Sequence, residues 1–374
     1  MKIAVIHRDL PPQGKGGVSY QVLTLSNALV EAGHSVTVFT LSPKPWDALF
    51  DVVTVKPPKM VQGHRMLSYY LLSFVLSRLD YSRYDLVHSH GDTHFPFFPR
   101  PLVRTFHGSA ISEALHPSSL KRFLSQLSLY PAEWLSGLLA DYSVGISKAT
   151  KTCLPFIRRV IPACVDLTRF VPSSGKSESP SILFVGTLRG RKRGWLLLSH
   201  FRKHVLKAIP SCELWMVCNE QLEDRQNVRW LGKVSTARLV ELYQKAWVFC
   251  MPSSYEGFGV PYVEAMACGT PVVTTPNPGA SEVLEDGKYG AIVEAGSLGE
   301  ALVNLLENPD RRERMTRRGL ERATRYSLEK VVKQYEEVYG DLLLKTYRDR
   351  PGSASTREGV LVKNPRHRPD FGPG

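Results

Sequence analysis

Two acidic residues, Glu256 and Glu264, stand with seven residues between them in "SSYEGFGVPYVEAMACGTPVVTT", residues 253–275. Gly257 and Gly259 keep "YEGFGVP" out of a helix interior, and Pro261 suits a first helical turn, where its missing N–H costs nothing. Gly269 stops the helix after "YVEAMAC", and "PVVTT" reads as a strand. The amides of Phe258, Gly259 and Val260 then gather at a helix N-terminus, where partial positive charge and free donors favour a phosphate. The glycines let a diphosphate approach the backbone. Glu264 is expected in the first turn of that helix, with a carboxylate able to accept two hydrogen bonds from a ribose diol. Glu256, on the loop, faces the next group along, a sugar. Either glutamate alone would read as a helix-dipole partner or a solvated charge. Both within one loop–helix–strand unit argue for a grip on a sugar nucleotide.

A second segment, "FVGTLRGRKRG" (184–194), follows a strand and carries four cations in five residues, among them Arg189, Lys192 and Arg193. At a strand's carboxyl end it would clamp a diphosphate and stabilise charge growing on a leaving group. The plain alternative is a solvated basic turn. "QGKGGVS" (13–19) opens a helix after the first strand but fits neither GxGxxG nor a Walker loop. Read by themselves, its Gly16 and Gly17 make a tight turn. Histidines stand at presumed strand ends in "HSHG" and "TFHGS", where they are ordinarily structural. His88, His90 and His94 resemble a metal cluster in composition, yet no carboxylate or cysteine completes a known spacing. No metal is expected to be required, cations and helix dipoles taking its place.

The elements that must position these residues follow an α/β rhythm. "KIAVIH" is a short buried strand, Val18–Ala32 has helical spacing, Gly33 is a stop and "SVTVFT" is the next strand. Further strands are expected at "DLVHSH", "LVRTFH" and "DYSVGIS", which implies a mostly parallel sheet covered on both faces. Around "RFVPSSGKSESPS" (169–181) the composition turns to Ser, Pro and Gly, as in a linker. A second series follows at "SILFVGTL", "CELWMVC", "NVRWLG", "WVFCMPS", "PVVTT" and "GAIVEAG". Helices are expected between them at 195–208, 236–245, 298–307 and 309–325. The spacing predicts a doubly wound domain over 1–172, a second over 173–325 and a helix over 326–346. Residues 347–374 lack periodicity and read as a disordered tail. Two such domains leave a cleft between them, where ligands of doubly wound folds bind.

A chain of 374 residues accommodates two cores of this size. With 43% hydrophobic and 22% charged residues it has an ordinary globular composition. The net charge of +13 sits mainly on the N-terminal half and the tail: residues 1–173 hold 18 Lys and Arg against 11 Asp and Glu, and residues 347–374 hold 6 against 3. That balance favours anionic partners or simply solubility. Six cysteines without a CxxC pair lie mostly in apolar runs, which suits buried thiols in a reducing cytoplasm. The N-terminal apolar run is too short for a signal peptide, and "LSYYLLSFVLSRLDY" falls short of a membrane span. Residues 64–79 and 121–140, rich in Leu, aromatics and bases, read as packed helices or as a membrane-contacting face.

"PSSYEGFGVPYVEAMACGTPVVTT" resembles the signature of retaining glycosyltransferases of the GT-B fold, specifically family 4, with Glu256 and Glu264 as its EX7E pair. The likeness extends to "LVELYQKAWVFCMPSS" before it and "GASEVLEDGKYGAIVEAG" after it, and covers residues 1–343. It implies two Rossmann-like domains facing a cleft, with a C-terminal helix crossing back to the N-terminal domain. It implies that Glu264 holds the nucleotide ribose and that Glu256 and His107 contact the transferred sugar. Gly16 and Gly17 would close over the donor phosphates, while the cations of 189–193 would stabilise the leaving group. This chain departs from the pattern at Thr187, where Arg is usual, and at Arg193, where Lys is expected; Arg189 or Lys192 would then supply a contact. The implied donor is a nucleotide-diphosphate sugar, UDP ahead of GDP, with no further cofactor. The acceptor would be a hydroxyl of a glycan, lipid-linked or small molecule, reached in the cytoplasm or at the inner membrane face. A nucleotide-sugar epimerase of the same fold and a nucleic-acid-binding protein stay open as alternatives.

Overall fold

The computed structural model describes residues 1–13, 16–56, 74–91, 101–115, 120–220 and 226–348. Among them, the first sheet holds β1 (Lys2–Ile6), β2 (Ser35–Thr40), β3 (Asp51–Thr54), β4 (Leu86–His90), β5 (Leu102–Phe106), β6 (Tyr142–Gly145) and β7 (Arg159–Val160), in the order β3-β2-β1-β4-β5-β6-β7. The second holds β8 (Ser181–Val185), β9 (Glu213–Val217), β10 (Val228–Trp230), β11 (Val248–Cys250), β12 (Val272–Thr274) and β13 (Ala291–Ile292), in the order β10-β9-β8-β11-β12-β13. All pairings within both sheets are parallel. Parallel strands need crossover helices that cover both faces, which is why β1, β4, β5 and β11 are apolar or fully buried runs rather than alternating ones.

In each sheet the strand order reverses next to the first strand of its series, opening a crevice at the carboxyl ends. The segments singled out for chemistry all lie at the carboxyl ends of strands at or next to those reversals. The glycine loop follows β1, His90 ends β4 and His107 follows β5. The basic loop follows β8 and Glu256 follows β11.

One core fills the second unit, around Leu183, Phe184, Phe249, Tyr262 and Leu302. In the first unit, Ile3, Val5, Val22, Leu29 and Val144 pack with Val331, Tyr335, Val338, Tyr339 and Leu342 of the Leu328–Arg348 helix. The last helix thus returns to the N-terminal sheet, and a pair between Arg159 and Glu337 at 2.7 Å lies along the same contact.

Helices occupy Thr236–Lys245 and Leu298–Glu307, the bounds that periodicity predicts, each within an amphipathic stretch. The segment expected as one helix over 195–208 is broken by a π-turn at Phe201–Val205. The strands β3 and β7, of four and two residues, are too short to show a period and are not anticipated in the sequence. All six cysteines are unbonded, five of them buried. Residues 349–374, most of 64–79, Lys15 and His94 lie outside the described residues.

Candidate active site

The loop between β11 and the Val260–Ala267 helix is held from both sides. Arg191 donates from its guanidinium to the Tyr255 carbonyl at 2.9 Å, and the Ser254 amide donates to the Arg191 carbonyl at 2.8 Å. On the far side, Asn277 caps the Pro278–Leu284 helix by accepting from the Ala280 amide, and its side-chain amide donates to the Ser253 carbonyl. The Gly279 amide donates to the Glu256 carbonyl at 3.1 Å; a side chain at Gly279 would meet Phe258 O at 2.5 Å and Glu256 Cβ at 2.8 Å. Glu256 is therefore neither mobile nor solvated: it is 5% exposed.

Its carboxylate is met by two cations of the basic loop, Lys192 Nζ at 2.8 Å and Arg191 Nη1 at 2.9 Å, both on Oε1. Burial would raise the Glu256 pKa, but Lys192 and then Arg191 outweigh it and hold the carboxyl below its ordinary value. Burial lowers Lys192 although Glu256 draws it back. Arg191, whose side chain is 39% exposed, keeps a face toward solvent. Arg191 is the residue that sequence reasoning passed over. The signal was the run of four cations, but nothing in the run says which of them turns inward.

The other cations of the run go elsewhere. Arg193 adopts the left-handed conformation, φ 49°, and its guanidinium donates to the Pro252 carbonyl at 2.7 Å and to Thr275 Oγ1. It ties the β11 and β12 loops together and is not brought to Glu256. Arg189 is exposed, and Thr187, which replaces the expected Arg, donates its hydroxyl to the Arg189 carbonyl at 2.7 Å to close the turn.

The Val260–Ala267 helix starts after Gly259, which takes φ +96°, with Pro261 in its first turn as expected. Beginning at Val260, it puts Glu264 in its second turn, not the first. Glu264 is partly buried, and Tyr243 donates its hydroxyl to Oε2 at 2.9 Å. Burial pushes Glu264 up to about 7, against the opposing pull of the Tyr243 hydrogen bond and Lys192. The Gly257 requirement also differs from the expected one. A Cβ there would lie 3.0 Å from the His107 carbonyl oxygen, so its missing side chain admits the N-terminal backbone.

That contact brings the two halves together at the site. His107 and Gly108, from the loop after β5, lie against Gly257 and Tyr255 from the loop after β11. Behind His107 stands a group of histidines. His107 Nε2 is 3.0 Å from His90 Nδ1, and His90 packs on His88 with centroids 4.0 Å apart and the rings tilted by 41°. Burial lowers His88 and His107 to about 3, and for His107 the charges of His7, His88 and Arg104 act in the same direction. These rings are neutral at pH 7. Gly16 caps the Gly17–Glu31 helix in extended conformation, and the space where either glycine would carry a Cβ is open. His7 Nε2 reaches Ser19 Oγ at 3.4 Å, which sets that helix start beside the histidines. Of the expected residues, Lys192 reaches the Glu256 carboxylate, His107 meets the same loop through its main chain at Gly257, Glu264 sits one helix turn deeper, and Arg189 and Arg193 stand apart from the carboxylate. Among the described residues, no group of three or more His, Cys, Asp or Glu could hold a metal ion.

Residues 168–322 match the family model described as Glycosyl transferases group 1, and residues 15–169 match Glycosyltransferase Family 4. The chain is 34% identical over 180 residues to a phosphatidyl-myo-inositol mannosyltransferase of Mycobacterium leprae (strain TN), covering 45% of this chain and about half, 47%, of that relative. It is 26% identical to a D-inositol 3-phosphate glycosyltransferase of Corynebacterium urealyticum (strain ATCC 43042 / DSM 7109), over 91% of this chain and 96% of the relative. Its fold matches sucrose-phosphate synthase from Thermosynechococcus elongatus with a TM-score of 0.77 at 21% identity, covering 92% and 99% of the two chains. It also matches Anabaena Alr3699/HepE, solved in complex with UDP-glucose, with a TM-score of 0.69 at 18% identity, covering 91% and 100%.

Proposed function

The chain belongs to glycosyltransferase family 4, and on that premise we propose that it moves a hexose from a nucleotide-diphosphate sugar to an acceptor hydroxyl with retention at the anomeric carbon. The observation that carries this reading is the buried Glu256, held by Lys192 and Arg191 at the place where His107 of the other half meets Gly257. A carboxylate paired with the cations of the basic loop has partners to exchange when an anionic donor arrives.

In this reading the diphosphate lies at the amides that open the Val260–Ala267 helix, and Lys192 and Arg191 neutralise the charge left on it as the glycosidic bond breaks. Glu264 accepts from the ribose diol, and Glu256 and His107 contact the sugar. Gly16 and Gly17 leave room for the phosphates from the opposite side. Retention follows a front-side course. The acceptor oxygen bonds the anomeric carbon on the face that the diphosphate leaves, and the departing phosphate oxygen takes the acceptor's proton. No divalent cation is required, since the basic loop supplies the positive charge. The donor is a UDP-sugar, in keeping with the resemblance and with a fold neighbour solved with UDP-glucose.

The acceptor hydroxyl sits on an anionic compound, for which the excess of base in residues 1–173 is suited. Both relatives named above are described by inositol phosphate or phosphatidylinositol. For a lipid-borne acceptor, the Leu120–Leu139 helix offers a surface. Leu120, Leu124, Leu127, Leu135 and Leu138 recur on one face and are exposed. No described helix is long and apolar enough to cross a membrane, so contact would be peripheral, at the cytoplasmic face.

The test is direct. UDP- and GDP-sugars are incubated with inositol phosphate or phosphatidylinositol vesicles in the presence of a chelator, with nucleotide release and product anomeric configuration read by NMR. Transfer with retained configuration is expected, and Glu256→Gln should abolish it. Inverted product, or full turnover by the variant, would overturn the proposal.

A further inference from the structure

The ring of His107 is one end of a buried series of side chains that the sugar-contact role does not explain. Tyr339 Oη, on the returning C-terminal helix, lies 2.7 Å from His88 Nδ1. His88 Nε2 lies 2.8 Å from Thr105 Oγ1, which is 3.1 Å from Tyr335 Oη of the same helix. Both nitrogens of His88 are thus engaged, and the tilted ring of His90 packs against it. His90 is fixed at its main chain as well, its carbonyl lying 3.3 Å from His7 Nδ1. Its Nδ1 then meets His107 Nε2 at 3.0 Å.

The charged and titratable groups facing His90 are His7, His88, His107 and Arg104, all cationic or neutral. Arg104 is fully buried and donates to Ser89 Oγ and the Gly91 carbonyl. Among the described residues no carboxylate faces His90, and burial opposes an imidazolium. Two neutral rings facing nitrogen to nitrogen hold one proton between them, and the choice of donor fixes both tautomers. If His107 donates, both rings carry their proton on Nε2, the form that a free neutral imidazole side chain favours. If His90 donates, both must carry it on Nδ1.

We propose that His90 is a positioning residue: it accepts the Nε2–H of His107 and so fixes the tautomer in which His107 Nδ1 bears the lone pair, ready to accept from a hydroxyl of the transferred sugar. The tautomer stands on the nitrogen-to-nitrogen contact and on the preference of a neutral imidazole side chain for Nε2–H; its use on a sugar rests on the glycosyltransferase reading above. His90 does not itself touch substrate. It acts by restricting both the rotation and the protonation pattern of the ring that does, while the tyrosines of the C-terminal helix hold the stack in place.

The experiment is imidazole nitrogen NMR of the full-length protein at pH 7.5, with His90→Asn and His90→Phe beside the wild type. Asn keeps an acceptor oxygen near the former Nδ1 position; Phe keeps the stack and removes the acceptor. Wild-type His107 should show its proton on Nε2, His90→Asn should preserve it, and His90→Phe should populate both tautomers. With UDP-glucose as donor, turnover should fall on the order of tenfold in His90→Phe and recover to within about threefold in His90→Asn. UDP affinity by calorimetry should change less than about twofold in either, because the phosphate and ribose contacts are untouched. A wild-type proton on Nδ1, or an unchanged tautomer in His90→Phe, would overturn the proposal. Should the Phe variant fail to fold, the wild-type spectrum decides. A wild type that transfers nothing removes the sugar role but leaves the tautomer result to be judged by itself.

Discussion

Replacing Lys192 with methionine removes one of the two charges on Glu256 while keeping the stem that packs on Gly186, whose Cβ position is 3.1 Å from Lys192 Cβ and Cγ. Leaving a buried charge wholly unpaired costs ~3–5 kcal/mol. Arg191 remains at 2.9 Å, but its side chain is 39% exposed and its attraction is screened, so it covers only part of that cost. The expected loss at pH 7 is about 2 kcal/mol, or roughly 4–8 °C in the unfolding transition of the second unit. Its pH dependence is the sharper signature. In the wild type the Glu256 pKa is held below its ordinary value. Glu256 therefore contributes stability above the unfolded pKa, and this is lost as pH falls through the folded value. In Lys192→Met burial prevails and the folded pKa rises above the unfolded one. The ionised carboxylate then costs stability at high pH, a cost relieved on acidification. The gap between the two proteins should narrow steadily from pH 8 to pH 4.5, measured by calorimetric or circular dichroism melting. A gap that stays constant across that range, or a loss under about 0.5 kcal/mol at pH 7, would show that Lys192 and Glu256 are not the coupled pair described here.

Glu264, raised to about 7 by burial, binds a proton in the folded protein where the unfolded chain has lost it. Its linked stability therefore falls as pH rises from about 4.5 to 7, and Glu264→Gln should be about 1–2 kcal/mol more stable than the wild type at pH 8 and equal to it at pH 4 in the same melts. Glu264→Ala should weaken UDP binding about tenfold by calorimetry, and an unchanged affinity would remove the ribose role. Gly257→Ala places a Cβ 3.0 Å from the His107 carbonyl and should cost about 1 kcal/mol and several-fold in turnover; wild-type values in both assays would deny the contact. Glu282 accepts from the Lys148 amide at 2.7 Å, joining the second unit to the N-terminus of a helix in the first. In Glu282→Ala, hydrogen exchange at the Lys148 amide should accelerate, and no change would mean the bond is not formed in solution.

Much of the frame is written in local patterns. The helices at 236–245 and 298–307, the breaks around Gly259 and Gly269, and the strand before each functional loop follow from periodicity and from the few residues that end helices. Because every one of those loops leaves a parallel strand at its carboxyl end, the same patterns place Glu256, Lys192 and His107 at the carboxyl ends of their sheets. Such properties depend on neighbours within about a dozen residues, and a linear text carries them well.

Side-chain partners at the site do not. Arg191, Lys192 and Arg193 are adjacent cations of nearly equal chemistry, and the left-handed turn at Arg193 sends its guanidinium to Pro252 and Thr275 while the other two meet Glu256. One backbone dihedral, set by how the basic loop packs on the β11 loop, decided which charges pair. The role of Gly257 needed the N-terminal half to be present, since the atom that excludes a side chain there is the carbonyl of His107, 150 residues earlier. The cluster of His88, His90 and His107 likewise exists because β4 and β5 pair in register and the C-terminal helix brings Tyr335 and Tyr339 against His88 and Thr105. The sequence by itself determined the elements and the chemistry within reach of each loop. Only the tertiary structure decided which groups touch, because contact between distant segments is set by the packing of both, and neither segment encodes it alone.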